Sequence, residues 1–244
     1  MNRQNSTLKD KRIVVLGGSS GLGLATAKAA SQEGAQVVIA SSNRRRIDNA
    51  LKELPGEAEG KVIDLTKEEN IKTFFEQTGN FDHLVYTAGE NITAANVQEA
   101  DITAAKDFFS IRFWGVFTAV KYGSSHINPG GSISLMSGNF GQRPAKSFSL
   151  GASVCGAMDA FTRAMAVELA PLRVNNVAAG VIKTALWNNM NEDDLNNFFN
   201  YIENSVLLKR VGDAEDVALA FLYLMKQTYM TGQSLIVDGG AVLV

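Results

Sequence analysis

The stretch Arg12-Ile13-Val14-Val15-Leu16-Gly17-Gly18-Ser19-Ser20-Gly21-Leu22-Gly23 decides how this chain folds. It opens as a run of aliphatic residues, breaks into glycines and serines, and continues with helix formers. A buried strand, a tight turn and a helix are the predicted outcome. Glycines in such a turn let the backbone approach a pyrophosphate, whose charge the helix N-terminus favours. Gly17, Ser19, Ser20, Gly21, Leu22 and Gly23 are therefore the first candidate cofactor contacts. A glycine-rich turn alone is a weak signal, and its flanking strand and helix give it mechanical meaning.

The same alternation runs outward from that stretch. Strands are expected at Arg12–Leu16, Gln36–Ala40, Lys61–Ile63, His83–Tyr86, Ser132–Met136, Arg173–Ala178 and Ser234–Val237. Helices fit Leu22–Glu33, Arg45–Glu53, Lys67–Gln77, Val97–Tyr122, Gly151–Glu168 and Ala214–Met225. This order predicts an α/β Rossmann fold, a doubly wound seven-stranded parallel sheet with helices on both faces. No repeat or linker divides residues 1–244, so a single domain is expected, led by a polar segment over residues 1–10. Residues 184–208 break the rhythm: they are rich in Asn and acidic side chains yet carry Leu186, Trp187, Met190, Phe198, Phe199, Tyr201 and Ile202. A substrate lid over the strand ends is the favoured reading, and a pair of packed surface helices is the other.

Composition narrows the class. The 244 residues carry a net charge of −2, which favours neither nucleic acid nor an anionic membrane. No apolar run approaches the roughly 20 residues that span a bilayer, and MNRQNSTLKDKR lacks the apolar stretch of a signal peptide. One cysteine, Cys155, excludes an internal disulfide framework and suits a reducing cytoplasm, the expected location. His83 and His126 have no metal-ligand spacing around them, so no metal is expected.

The end of the second strand bears on the coenzyme. NAD-binding domains usually place a carboxylate there for the ribose hydroxyls. Ser41-Ser42-Asn43-Arg44 stands there instead, and hydroxyls with a guanidinium favour a phosphate. NADP(H) is the expected cofactor. The run Arg44-Arg45-Arg46 sits near a helix N-terminus, where cations are unfavourable unless something offsets them.

With these residues in view, the chain resembles the short-chain dehydrogenase/reductase superfamily over essentially its whole length. The resemblance rests on Leu16 to Gly23, Asp64-Leu65, Tyr86-Thr87-Ala88-Gly89, Arg173 to Thr184, and Gly232 to Gly240. It implies adenine contacts at Asp64 and Leu65, further contacts at Thr87, Ala88 and Gly89, and a nicotinamide loop of Gly180, Val181, Ile182 and Thr184. It also implies an Asn-Ser-Tyr-Lys tetrad, which this sequence does not supply. Alignment places Arg112 at the asparagine, Gly138 at the serine, Gly151 at the tyrosine and Cys155 at the lysine. Ser137 falls one position early, and a one-residue slip offers only Leu150 and Val154. A divergent member is implied.

Arg112, Ser137 and Asn139 are the candidate catalytic residues. Arg112 shares a helical stripe with Phe108, Ile111, Gly115 and Ala119, so its guanidinium is expected among sheet-facing residues. It is either a clamp between strand ends or an oxyanion stabiliser for a carbonyl receiving hydride. Lys121, nine positions on, is expected on the opposite, solvated face. Arg143 is expected at the surface and Cys155 as an inert packer. Trp114, with Phe109, Phe113 and Val116, makes that helix apolar nearly all round, which suggests a homodimer or homotetramer. The function expected is NADPH-dependent reduction of an activated carbonyl, such as a quinone or vicinal diketone, by a small-molecule enzyme. A weakly active or inactive NADP(H)-binding protein with a sensing or scaffolding role is the alternative, and a non-redox lyase or isomerase is a third.

Overall fold

Strand β1 (Arg12–Leu16) lies at the middle of the molecule because both of its faces are apolar. Ile13 and Val15 join one buried cluster while Val14 and Leu16 join the other, all fully buried. A computed structural model describes residues 7–89 and 94–244. Around β1 run β2 (Gln36–Ser41), β3 (Ala58–Val62), β4 (Phe81–Tyr86), β5 (Ile127–Gly138), β6 (Arg173–Ala179) and β7 (Ser234–Val237). They form one seven-stranded sheet, ordered β3-β2-β1-β4-β5-β6-β7 and parallel throughout. The chain steps outward from β1 to β3, then crosses to β4 on the other side of β1. That reversal opens a crevice beyond the carboxyl ends of β1 and β4.

Helices α1 (Gly21–Gln32), α2 (Arg44–Glu53) and α8 (Ala214–Lys226) contribute to one cluster. Helices α3 (Glu68–Thr78), α5 (Gly115–Gly123) and α6 (Ser149–Glu168) contribute to the other. Strand β3 is an edge strand with no fully buried residue, so it lacks the apolar signal by which the centre of a sheet is read. It runs over residues 58–62 rather than 61–63. Strand β5 starts earlier than expected, at Ile127, with a register irregularity between Phe81 and His83 on its β4 neighbour. Of the polar lead, residues 1–6 lie outside the described residues, while Leu8 is buried in the core.

The long helix expected over residues 97–122 is not continuous. Val97–Glu99 makes a turn, and helix α4 (Ile102–Phe109) starts only after Asp101, whose carboxylate accepts from the Ala104 N–H at 2.8 Å. A π-helical turn at Ser110–Trp114 then separates α4 from α5. Two contacts account for the wide turn. The Tyr86 hydroxyl donates to the Ile111 carbonyl at 2.6 Å. Gly115 lies so close to the sheet that a Cβ would sit 2.5 Å from the Tyr86 Oη and 2.9 Å from the Leu65 carbonyl. At the far end of α5, Lys121 and Tyr122 both bind Glu68 at 2.7 Å, so Lys121 points outward as expected.

Residues 184–208 form a 3-10 turn (Ala185–Trp187) and helix α7 (Glu192–Ser205). Trp187 is buried, donates its indole N–H to the Ile182 carbonyl at 2.9 Å, and packs on Phe198 at 5.0 Å. Among the described residues no helix is long and apolar enough to cross a membrane, and no group of His, Cys, Asp and Glu gathers to hold a metal.

His83 gives the sheet a pH dependence. Its imidazole pairs with Ser132 on β5 at 2.9 Å. Burial pulls its pKa from 6.5 down to about 4, Asp82 opposing and Arg173 and Lys11 assisting. The folded state therefore holds His83 neutral where an unfolded chain would charge it. The associated stability is complete above about pH 6.5 and is lost as pH falls toward 4. A shift of that size corresponds to roughly 3 kcal/mol. Urea unfolding across this window should show that loss for the native chain and a flatter profile for His83→Asn; identical slopes would refute the assignment.

Candidate functional site

The crevice beyond β1 and β4 is an elongated cleft of about 740 Å³. Its first half is built by the β1–α1 turn. Gly17 has φ +89, and a Cβ on it would lie 2.5 Å from the Ala88 nitrogen. A Cβ on Gly23 would meet the Gly17 carbonyl at 2.3 Å and the Thr87 hydroxyl at 2.5 Å. The turn is thus wedged against the end of β4, where the Thr87 N–H donates to the Leu16 carbonyl at 2.8 Å. Ser20 occupies the N-cap of α1 without a side-chain cap bond, and the first turn carries no acidic residue. The arrangement presents backbone N–H groups to an anion.

Gly17, Ser19, Ser20, Gly21, Leu22, Gly23, Ser41, Ser42, Asp64, Leu65, Thr87, Ala88, Gly89, Gly180, Val181, Ile182 and Thr184 all line this cleft. Asn43 and Arg44 are placed otherwise. Asn43 caps α2, its side chain accepting from the Arg46 N–H at 3.0 Å. Arg44 turns along the helix to Asp48, 2.9 Å away, one turn on. The guanidinium lining the cleft belongs to Arg46. The run of three arginines signalled a cation here, but only the helix phase selects which one faces inward. Asp64 is held by Thr66, whose hydroxyl and N–H donate at 2.6 and 2.9 Å and keep its carboxyl below the usual range.

The second half of the cleft holds Arg112, Ser137 and Asn139 together. The Arg112 guanidinium lies 4.8 Å over the Phe108 ring. It also covers Gly89, where a Cβ would stand 2.9 Å from Cζ. Ser137 is buried, its hydroxyl within reach of Asp159 Oδ1 at 3.1 Å and the Cys155 carbonyl at 3.3 Å. Asp159 also accepts from Ser234 at 2.9 Å and Asn176 at 3.2 Å, a polar knot beneath the cleft floor. Asn139 donates to Asp238 at 3.3 Å. Arg143 donates to the Ala241 carbonyl at 3.1 Å and stays exposed.

Proton carriers are scarce here. Among the described residues that line the cleft, the titratable side chains are Arg46, Asp64, Tyr86, Arg112 and Cys155. Burial raises the Tyr86 phenol, whose hydroxyl is already given to Ile111. Burial likewise raises the Cys155 thiol, whose sulfur would lie 3.0 Å from a Cβ on Gly138. The thiol therefore fills the space beside Gly138. Phe140, Met136 and Trp187 complete the apolar wall. Nothing local in the sequence had marked Phe140 and Met136 as wall residues.

Comparison with known proteins agrees with this geometry. A family model described as enoyl-(acyl carrier protein) reductase matches residues 17–242. The short-chain dehydrogenase/reductase ATR9 of Stachybotrys chlorohalonatus is 35% identical, over 97% of this chain and 99% of its own. A small-chain dehydrogenase solved in complex with NADPH is 33% identical, with a TM-score of 0.85 over 97% of this chain and 100% of its own. The MalC reductase/Diels-Alderase from Malbranchea aurantiaca is 27% identical, with a TM-score of 0.91 over 99% of this chain and 100% of its own. The chain belongs to the short-chain dehydrogenase/reductase superfamily, whose curated relatives match it over nearly their full length.

Proposed function

We propose that this protein is an NADP(H)-dependent reductase of activated carbonyl compounds, quinones and vicinal diketones among them, that works without a tyrosine–lysine proton relay. The observation that carries the reading is one cleft that joins an anion-binding glycine turn to the Arg112 guanidinium. The glycine turn cradles the pyrophosphate, and Arg46 with Ser41 and Ser42 receives the ribose phosphate. When bound, the coenzyme supplies a hydride. Arg112 sets its charge against the carbonyl oxygen that becomes negative as the bond forms. Ser137 and Asn139 hold the floor in place through Asp159 and Asp238, and water brings the proton. Residues 184–208, which bring Leu186 and Trp187 to the cleft, act as the lid.

Magnitudes support turnover under these conditions. Acid–base assistance is typically worth about 10²–10⁴-fold, whereas positioning two reactants contributes around 7–11 kcal/mol. Activated carbonyls lose least when the proton donor is gone. A binding protein that keeps the coenzyme without using it is the alternative, and it requires that no carbonyl accelerate NADPH oxidation. The neighbour named a reductase/Diels-Alderase favours a third reading, turnover on a bound substrate with no net coenzyme oxidation.

Two substitutions separate binding from chemistry. Arg46→Ala should weaken NADPH affinity by about tenfold or more, the worth of a charged hydrogen bond, while NADH affinity holds and Arg44→Ala changes neither. Equal losses for both coenzymes would remove Arg46 from phosphate recognition. Arg112→Ala should lower kcat by about 10²–10³-fold, as for an oxyanion donor, with NADPH affinity within about threefold. Loss of binding in step with kcat would make Arg112 a clamp.

We also propose a homodimer or homotetramer. Trp114 is 59% exposed and Phe117 42% exposed, edge-packed at 6.1 Å on the outer side of the π turn and α5. An apolar patch of this kind on a monomer marks an association surface. Sedimentation at micromolar concentration should give a multiple of the chain mass, and Trp114→Glu should return the monomer; a monomeric native chain would end the proposal.

A further inference from the structure

Glycines in this chain have identifiable causes. Some adopt left-handed backbone angles, as Gly17 and Gly130 do. Others sit where a Cβ would collide, such as Gly131 at 2.0 Å from the Asp82 carbonyl or Gly23 at 2.3 Å from the Gly17 carbonyl. Gly151 and Gly156, both in α6, have neither cause. Gly156 is exposed, where nothing constrains it. Gly151 is buried, lines the cleft, and would place a Cβ in ordinary contact with Phe140 at 3.7 Å and nothing nearer.

Alanine therefore fits at position 151 and would favour the helix, since glycine is the poorest helix former after proline. The protein's own atoms do not account for the missing Cβ. Close approach of a ligand to the backbone does. Gly151 shares one helix stripe with Val154 and Met158, both buried. Phe140 faces Gly151 and is itself backed by Phe148 at 4.9 Å. This slot carries no charged side chain, and it is walled by an aromatic face that favours another ring.

We propose that Gly151 is the specificity-determining residue of the cleft, and that the slot over its backbone takes the flat fused-ring body of a polycyclic aromatic carbonyl substrate. The inference rests on the reductase reading for which oxygen is reduced, and on the slot alone for what is bound. Phe140 stacks on the ring system, while Arg112 at the other side of the cleft addresses the oxygen. A branched or hydrated substrate gains nothing from a slot of this shape.

The test is a series of Gly151→Ala, Gly151→Leu and Gly151→Phe, probed with phenanthrenequinone and with diacetyl as a small comparison. Calorimetry on NADP⁺-loaded protein reads binding without any need for turnover. Phenanthrenequinone affinity should fall stepwise, by at least about tenfold at Gly151→Leu. The ratio of kcat/KM for phenanthrenequinone to that for diacetyl should fall in parallel. NADPH affinity reports that each variant is folded, and Gly151→Ala should raise Tm. The proposal is overturned if native protein does not bind phenanthrenequinone, if the series leaves its affinity unchanged, or if both substrates decline together. A fall in Tm for Gly151→Ala would also overturn it, because the glycine would then serve the fold. If no carbonyl oxidises NADPH but the binding series behaves as expected, the slot stands and the reductase reading falls.

Discussion

The wedge between the β1–α1 turn and the end of β4 is the contact on which the rest of this structure depends. Gly17 passes beneath Ala88, and Gly23 presses on the Gly17 carbonyl and the Thr87 hydroxyl, with no room for a single methyl group at either place. That closeness brings α1 to the sheet with its N-terminal N–H groups aimed over the strand ends. It also lies where the strand order reverses, so the turn and the crevice coincide. Packing of this density transmits position without slack, and the placement of Gly89, Arg112 and the cleft floor follows from it.

A second constraint runs through Tyr86. The residue is fully buried at the end of β4, and its hydroxyl must find an acceptor. It takes the Ile111 carbonyl, and with Gly115 pressed onto the same oxygen the helix widens into a π turn. The wide turn includes Arg112, whose guanidinium ends over Phe108 and Gly89. Burial that fixes Tyr86 also keeps it protonated, so the cleft's own tyrosine is a strut, not a proton carrier. Cys155 is in the same position: its thiol occupies space beside Gly138 and holds its proton. The cleft is consequently rich in shape and poor in proton transfer, with Arg112 as the charge in its second half.

Local pattern by itself determined the architecture. Seven apolar runs separated by helical stretches admit one parallel sheet, and strands β1 and β7 matched their expected bounds because turns delimit them sharply. The glycine turn was legible for the same reason, since its conformation is dictated by residues adjacent in sequence. Asp64, Thr87 and Gly180 to Thr184 were legible through resemblance, and all line the cleft.

Tertiary structure decided what depends on partners distant along the chain. Which of Arg44, Arg45 and Arg46 faces the cleft turned on the phase of α2 and on Asp48. The break in the helix expected over residues 97–122 depended on Tyr86, some 25 residues earlier. Ser137 was read as a site residue, but its hydroxyl faces Asp159 as well as lining the cleft, a pairing set by how α6 lies on β5. The room at Gly151 and its absence at Gly138 could not be read from two glycines. Whether a missing side chain leaves a void depends on what packs across from it, and only the folded chain brings Phe140 to one and Cys155 to the other.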